Sequence, residues 1–289
     1  MSQTFLPKEA LPRSGVALRI MSANLLAGRW TNSHWCRERL PMPARAEAFG
    51  ELLCAVLPDA VGLQETDQIW VENLPAVLEQ VRSETSAEYQ WLFSKVDGKV
   101  NLSGILYRSD RYEALSHDYR YAPYWNPKNY PYNIREYVWV RLREKTSGME
   151  FWLVNTHWGT KEEERIADAD AQSTVVQSLS KHKIPIVCTG DYNSTPDTEA
   201  YRLFRDQTSL FSAKEAARAK GCLLNETDGT GWVGRERTRT DNQIDHIFYS
   251  EGFRVLRYAT MQGGNLLYLS DHLPQVADFE PIKKGGDVL

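Results

Sequence analysis

Eight polar residues of this 289-residue chain stand at or beside apolar runs: Asn24, Glu65, His157, Asp191, Asn193, Asp245, Asp271 and His272. Four carboxylates, two carboxamides and two imidazoles suit a phosphoester site built on a divalent metal. Hard carboxylate oxygens fit Mg²⁺, which keeps several waters and takes only one or two protein carboxylates. Glu65, at the end of the run AVGL, is the first choice of ligand. A remaining carboxylate could orient or deprotonate water, and an imidazole could polarise a phosphoryl oxygen. Each residue also has a plainer reading. Asn24, Asp191 and Asn193 are ordinary turn formers, Glu65 could be a solvated rim carboxylate, and a single histidine is commonly structural. Recurrence of such groups at predicted strand ends is what argues for chemistry.

The elements that must position them centre on residues 184–201, IPIVCTGDYNSTPDTEAY. Residues 186–188 read as a short buried strand that Gly190 breaks, with Asp191 and Asn193 presented side by side by strand alternation. Pro196 opens a helix starting at Thr198. The carboxyl ends of buried strands are where α/β proteins place ligands. Upstream, residues 16–21 (VALRIM) form a strand that delivers Asn24, and residues 60–63 one that delivers Glu65. Further strands are expected at 104–107, 137–143, 149–155, 244–249, 254–260 and 276–279, the pair 137–143 and 149–155 being antiparallel. Helices are expected at 44–57, 70–82, 161–181 and 212–220, and residues 95–100 read as a hairpin turning on Asp97-Gly98. Residues 119–139 hold eight Tyr and Trp side chains and three prolines, which rules out a regular helix. They read as a long ordered loop that walls a binding site or covers a sheet edge. Arg135 within it is either a phosphate contact or half of a surface salt bridge.

Composition narrows the class. Hydrophobic residues make up 42% and charged residues 25%, with nine Trp and fourteen Tyr, which is globular rather than disordered. The net charge of -4 does not advertise the basic face of a protein that grips long nucleic acid. Cys36, Cys54, Cys188 and Cys222 lack CxxC spacing and read as free thiols. The first fifteen residues contain prolines and charges without an apolar h-region, and no stretch approaches a membrane span. The expectation is a soluble, cytoplasmic protein with an arm at 1–15, a single domain at 16–280 and a loose tail at 281–289. No protein partner can be inferred.

Seven words in order carry a family likeness: MSANLL at Asn24, LQE at Glu65, ILYRSDRYE around Tyr107, NTHWG at His157, GDYNSTPDTEAY at Asp191 and Asn193, IDHIFYS at Asp245, and SDHLPQVADF at Asp271 and His272. By these words the chain resembles the endonuclease/exonuclease/phosphatase superfamily, over residues 18–279. The resemblance implies a four-layer α/β sandwich, two mixed β-sheets packed face to face with helices outside. It implies Mg²⁺ or Mn²⁺ bound by Glu65, with Asn24 and Asp271 close to it. Asp191 would activate or position the attacking water, and Asn193 would orient the phosphate. His157 and His272 would contact phosphoryl oxygens, with Asp245 holding His272. Arg135 matches an arginine found before a Trp-containing strand in some members and is assigned to substrate, as is Tyr107, whose YR word recurs without an assignable chemistry. His246 departs from the family, where an aromatic residue is common, and Trp158 stands where Leu is frequent. The expected activity is phosphoester hydrolysis, its substrate more a small or short phosphoester than long DNA or RNA, the alternative being a nuclease.

Overall fold

The computed structural model describes residues 18–30, 41–94, 102–126, 134–226, 242–261 and 266–282. Its frame is two six-stranded mixed sheets. In the first, β1 (Leu18–Asn24) runs parallel to β2 (Ala60–Gln64), joined through helix α1 (Met42–Val56). Helix α2 (Gln68–Thr85) follows, then the antiparallel pair β3 (Tyr89–Phe93) and β4 (Gly104–Arg108), β4 lying against β2. In the second, β5 (Tyr112–Tyr121), β6 (Glu136–Glu144) and β7 (Glu150–His157) form a meander. Helix α3 (Glu162–Ser180) then carries the chain to β8 (Ile186–Asp191), parallel to β7. Helix α4 (Glu199–Thr208), the two-residue β9 (Phe211–Ser212) and helix α5 (Ala213–Ala219) precede β10 (Asp245–Tyr249), which pairs antiparallel with β8. The chain returns to the first sheet through β11 (Phe253–Thr260), the short α6 (Leu266–Leu269) and β12 (Gln275–Pro281), the last antiparallel to β1.

Burial on both faces explains why the central strands read as continuous apolar runs: all seven residues of β1 and all five of β2 are buried. One core lies between the sheets, from Leu18, Ile20, Ala60 and Ile105 to Val138, Val140, Leu153 and Ile247. A second packs Met21, Ala23, Val61 and Leu63 under Phe49, Leu52, Trp70 and Leu74 of α1 and α2. A third packs Val154 and Cys188 under Val176, Leu179 and Phe204 of α3 and α4. Helices, sheet, sheet and helices give the four-layer sandwich that the resemblance implied.

Several expectations need correction. Strand β8 continues through Gly190 and Asp191 instead of stopping at the glycine. Glycine serves close packing there, since a Cβ would stand 2.7 Å from Thr156 Cγ2 and its carbonyl oxygen. The loop proposed for 119–139 is partly strand, because Tyr119 and Tyr121 end β5 while Tyr137 and Trp139 belong to β6. Strand β3 and helix α6 had no counterpart in the sequence reading. The hairpin at 95–100, the prolines at 127 and 131, most of the loop at 225–242 and Cys36 lie outside the described residues. Among the described residues Cys54, Cys188 and Cys222 form no disulfide. No described helix is long and apolar enough to cross a membrane.

Candidate active site

Each sheet has one parallel strand pair, and the two pairs deliver the polar groups to the same edge of the sandwich. Register puts Asn24 of β1 beside Gln64 of β2, the neighbour of Glu65, and His157 of β7 beside Asp191 of β8. Asp245 opens β10 directly opposite Asp191. The sheets are stitched just beneath. Asn155 Nδ2 donates to the carbonyls of Leu63 at 2.7 Å and Gly104 at 3.0 Å, while its Oδ1 accepts from Gln64 Nε2 at 2.7 Å and Thr189 Oγ1 at 3.1 Å. Gly62 makes room, since a Cβ there would lie 2.0 Å from Thr189 Oγ1.

Asp191 is the hub. It is 2% exposed, and its Oδ2 accepts from Asn24 Nδ2 at 3.0 Å and faces His157 Nε2 at 3.3 Å and His272 Nε2 at 3.7 Å. Burial alone would raise its carboxyl, but the two imidazoles and the Asn193 N–H hold it well below the ordinary range. His272 Nδ1 meets Asp245 Oδ2 at 2.7 Å. Burial works against the charged ring, yet Asp245 and Asp191 outweigh it and raise His272 well above an ordinary histidine. His157 goes the other way: burial and the Arg135 charge overcome the pull of Asp191 and Glu65 and lower it. The two histidines are therefore shifted in opposite directions around one carboxylate.

Glu65 leaves β2 with φ of 60°, a left-handed conformation rarely adopted by side-chain-bearing residues and costing roughly 1–3 kcal/mol. The turn swings its carboxylate back towards β1, where Oε2 accepts the Ala27 N–H at 3.1 Å and Oε1 accepts from Asn24 Nδ2 at 3.2 Å. Burial raises the Glu65 carboxyl, but His157, the Ala27 N–H, His272 and Arg135 bring it below its ordinary value. The loop supplying Ala27 is clamped by Arg45 of α1, fully buried. Its Nη2 donates to the carbonyls of Leu25 and Leu26, its Nε to Leu269 at 2.9 Å, and its guanidinium lies 5.2 Å from the Trp70 ring centre. Trp70 Nε1 donates to Leu26 as well, at 2.9 Å. One side chain thus secures the loop after Asn24 and the turn before Asp271 and His272. The signal that could have found it is an arginine three residues before Ala48 and seven before Leu52, on the inner face of α1.

Not every predicted residue arrives as expected. Asn193 has φ of 46° and is not in a strand; its N–H donates to Asp191 Oδ1 at 2.9 Å, an Asx turn, and its Nδ2 donates to the Trp158 carbonyl at 2.9 Å. The turn reading holds, and the amide expected to orient the phosphate is engaged with Trp158. Asn24 turns its oxygen to the Leu26 N–H at 2.9 Å and offers the carboxylates its NH₂ group, so it bridges Glu65 and Asp191 as a donor. Tyr107 is placed elsewhere. It pairs with Ala60 at the far end of β2, about 16 Å along the strand from Glu65 at roughly 3.3 Å per residue. Its hydroxyl donates to Gln90 at 2.7 Å, so it is not a substrate contact. Arg135 is 6% exposed, not on the surface, and its Nη1 has no partner among the described residues. His246 fills its aromatic position as an aromatic ring, 4.8 Å from Tyr201, and burial pushes it down to about 4. Trp158 is buried with Nε1 on Gln172 at 2.7 Å.

Among the described residues, the His, Cys, Asp and Glu side chains that gather closely enough to hold an ion are another set than Glu65 and Asp271. Asp191, Asp245 and His272 offer ligand atoms within 4.8 Å of one another, a group able to hold an ion. The proton between His272 Nδ1 and Asp245 already accounts for part of that closeness. Glu65 and Asp271, both half-buried, are carboxylates with oxygens outside that pairing, and Ser270 Oγ donates to Asp271 Oδ1 at 3.3 Å. An oxygen set of this kind fits Mg²⁺ or Mn²⁺.

Known proteins resemble this chain in sequence and fold. Human nocturnin is 31% identical over 153 residues, 48% of this chain and 35% of nocturnin. The Ccr4 3'-5'-exoribonuclease subunit of the CCR4-Not complex from Yarrowia lipolytica is 26% identical over 152 residues, 44% of this chain and 22% of that protein. The chain thus spans well under half the length of either. Among solved structures, a mannosyl-6-phosphatase from Bacteroides thetaiotaomicron superposes with a TM-score of 0.70 at 20% identity, covering 91% of this chain and 99% of that one, a likeness of fold. The Endonuclease/Exonuclease/phosphatase family profile matches residues 21–272, from the strand bearing Asn24 to His272 itself, and this chain belongs to that family.

Proposed function

We propose that this protein hydrolyses a phosphoester in a reaction that depends on Mg²⁺ or Mn²⁺. The observation that carries the reading is Asp191: a buried carboxylate kept ionised, reached by Asn24, His157 and His272 from both sheets. In hydrolysis a water oxygen bonds to phosphorus, the ester oxygen leaves, and the water proton must be taken up. Asp191 Oδ2 is the acceptor that aligns that water. Held far below its ordinary pKa it is a weak base, so orientation is its larger contribution. His272, kept charged by Asp245, presents Nε2–H to a phosphoryl oxygen; at 3.7 Å from Asp191 that donor is not committed to a hydrogen bond. His157 acts beside it, Asn193 fixes the Asp191 carboxylate through its N–H, and Arg135, whose Nη1 has no partner among the described residues, serves the substrate phosphate. Glu65, with Asp271, holds the metal, which when bound stabilises charge developing on the phosphoryl group.

Relatives named for a 3'-5'-exoribonuclease subunit and for a mannosyl-6-phosphatase support the reaction class and leave the substrate open. The net charge of -4 favours a small or short phosphoester, because long-duplex binding neutralises many phosphates. The purified chain should turn over dinucleotides or small phosphoesters with added Mg²⁺ or Mn²⁺, lose activity on chelation, and show a shallow salt dependence. Turnover indifferent to chelator refutes the metal reading. Efficient cutting of long duplex with a steep salt slope refutes the substrate preference alone.

A further inference from the structure

Beside Glu65 and Arg135 lies an aromatic surface that the hydrolytic reading does not use. Its floor is Leu102 and Ile134, both 2% exposed, and half-buried Phe93, Tyr121 and Trp125 pack on them. The floor is tied to the site on two sides. Leu102 accepts hydrogen bonds from the Thr66 N–H at 3.0 Å and Thr66 Oγ1 at 2.9 Å, and Thr66 adjoins Glu65. Ile134 directly precedes Arg135, whose carbonyl accepts the Ala122 N–H at 2.8 Å, and Ala122 in turn accepts the Trp125 N–H at 3.0 Å. The rings are ordered against one another: Tyr121 and Trp125 lie 4.6 Å apart at 36°, Tyr119 and Tyr121 5.4 Å apart, and Trp91 stands 4.6 Å from Phe93. Two strand edges from different sheets, β3 and β5, meet in this surface.

Two polar atoms point to a ligand. Arg135, more than nine-tenths buried, has Nη1 unpartnered among the described residues, and so does the shielded Nε1 of Trp125. A guanidinium whose Nη1 has no partner among the described residues, standing between a phosphoester site and half-buried rings, is placed to take a phosphate whose attached group reaches those rings. Planar π faces with one indole donor match a nucleobase: every base offers a π face to stack and edge acceptors for an N–H. A sugar ring would leave most of its hydroxyls without partners on Phe93, Tyr121 and Trp125.

Resting on the phosphoesterase reading above, we propose that Tyr121 and Trp125, with Phe93 beside them, form the subsite for a nucleobase of the substrate, joined to the reacting phosphate through Arg135. The substrate class is therefore a nucleotide or short single-stranded oligonucleotide.

The test compares a dinucleotide with its abasic counterpart, using the full chain. Binding is measured by calorimetry on a hydrolysis-resistant phosphorothioate pair, and kcat/KM on the cleavable pair with Mg²⁺. Wild type should favour the base-bearing member about ten- to a hundredfold in both, the size of one stacking contact. Trp125→Ala and Tyr121→Ala should bring the ratio close to one, acting on KM more than kcat, while Trp125→Phe keeps most of the stacking component. Equal binding of both members by wild type, or a ratio unchanged in both alanine variants, overturns the proposal. If neither ester is cleaved but the binding ratio behaves as stated, the hydrolytic reading fails and the subsite stands. Preference for a simple alkyl phosphate over the dinucleotide would make the surface merely apolar and overturn it.

Discussion

At the amino end of β1, Arg19 is 1% exposed and closed on Asp278: its Nε lies 2.7 Å from Oδ1, its Nη2 3.0 Å from Oδ2, and Arg257 Nη2 2.8 Å from the same Oδ2. Asp59 there takes the Arg19 N–H at 2.7 Å and the Arg111 guanidinium. At the carboxyl end of the same strand, Asp191 and Glu65 are approached by Asn24, two histidines and Arg135, and among the described residues no lysine or arginine forms an ion pair with either. Both ends bury charge. The first matches each charge with an opposite one, bidentate and doubled at Asp278, which satisfies it and fixes geometry. The second leaves carboxylates against neutral or switchable donors, together with left-handed backbone at Leu26, Glu65 and Asn193. Charge that is fully matched holds the fold, whereas charge left available, on strained backbone, is arranged for something that arrives from outside.

That contrast breaks if the two ends respond alike to mutation. The largest effect on turnover belongs to Asp191→Asn, expected to lower kcat by on the order of a thousandfold with thermal stability little changed. Asp278→Asn should do the reverse, costing about 3–5 kcal/mol by stranding Arg19, while kcat per folded molecule stays close to wild type. Steady-state kinetics paired with denaturant melts decide it, and an Asp278→Asn enzyme that is stable but inactive would dissolve the distinction.

The next effect tests whether Asp245 and His272 act as a unit. Each of Asp245→Asn and His272→Ala should cost on the order of a hundredfold in rate, and the double variant should be little worse than either. Fully multiplicative losses would mean that the two residues work independently.

Smaller still is Arg45→Met, which removes the clamp on Leu25, Leu26 and Leu269. We expect roughly a tenfold weaker dependence on added metal, since the Ala27 N–H that holds Glu65 loses its anchor, with a cost of about 1–3 kcal/mol for the stranded carbonyls. A variant with normal metal dependence and reduced stability would make the arginine purely structural.

The last prediction leaves turnover aside. Burial pushes the Glu136 carboxyl up to about 7 and that of Asp168 up to about 6, despite the hydrogen bond from the Ser103 N–H to the one and those from Tyr124, Tyr137 and the Gly159 N–H to the other. Unfolded, both titrate near about 4. The folded state thus binds the protons more tightly, so their contribution to stability is fully present below about pH 4 and is lost as pH rises through about 6 to 7. Melting temperatures of wild type and Glu136→Gln between pH 5 and 8 should show a shallower fall in the variant. Parallel curves would contradict the assignment.

What the sequence made legible follows the same physics. Strand ends bearing Asn24, Glu65, His157, Asp191, Asp245 and Asp271-His272 announced themselves because a polar residue after a buried run has few other reasons to be there. The αL turns at Glu65 and Asn193 did not, since only tertiary contacts select that backbone at residues other than glycine. Asn155 was visible inside the word NTHWG yet unremarked, because its partners Leu63, Gly104, Gln64 and Thr189 come from distant strands. Tyr107 misled for the opposite reason: a motif word can mark a structural contact, here with Gln90, as readily as a chemical one. Aromatic residues 119–121 and 137–139 hid as a loop because three prolines lie between the strands they end and begin.

The division of labour at the site, metal on Glu65 and proton on the Asp245–His272 pair, is tested most directly by titrating Mn²⁺ into the protein and following free ion by electron paramagnetic resonance. The account predicts a site that is lost or weakened at least about tenfold in Glu65→Gln and kept in His272→Ala. Loss of Mn²⁺ binding in His272→Ala with Glu65→Gln unaffected would place the ion in the Asp191, Asp245 and His272 group instead, and contradict it.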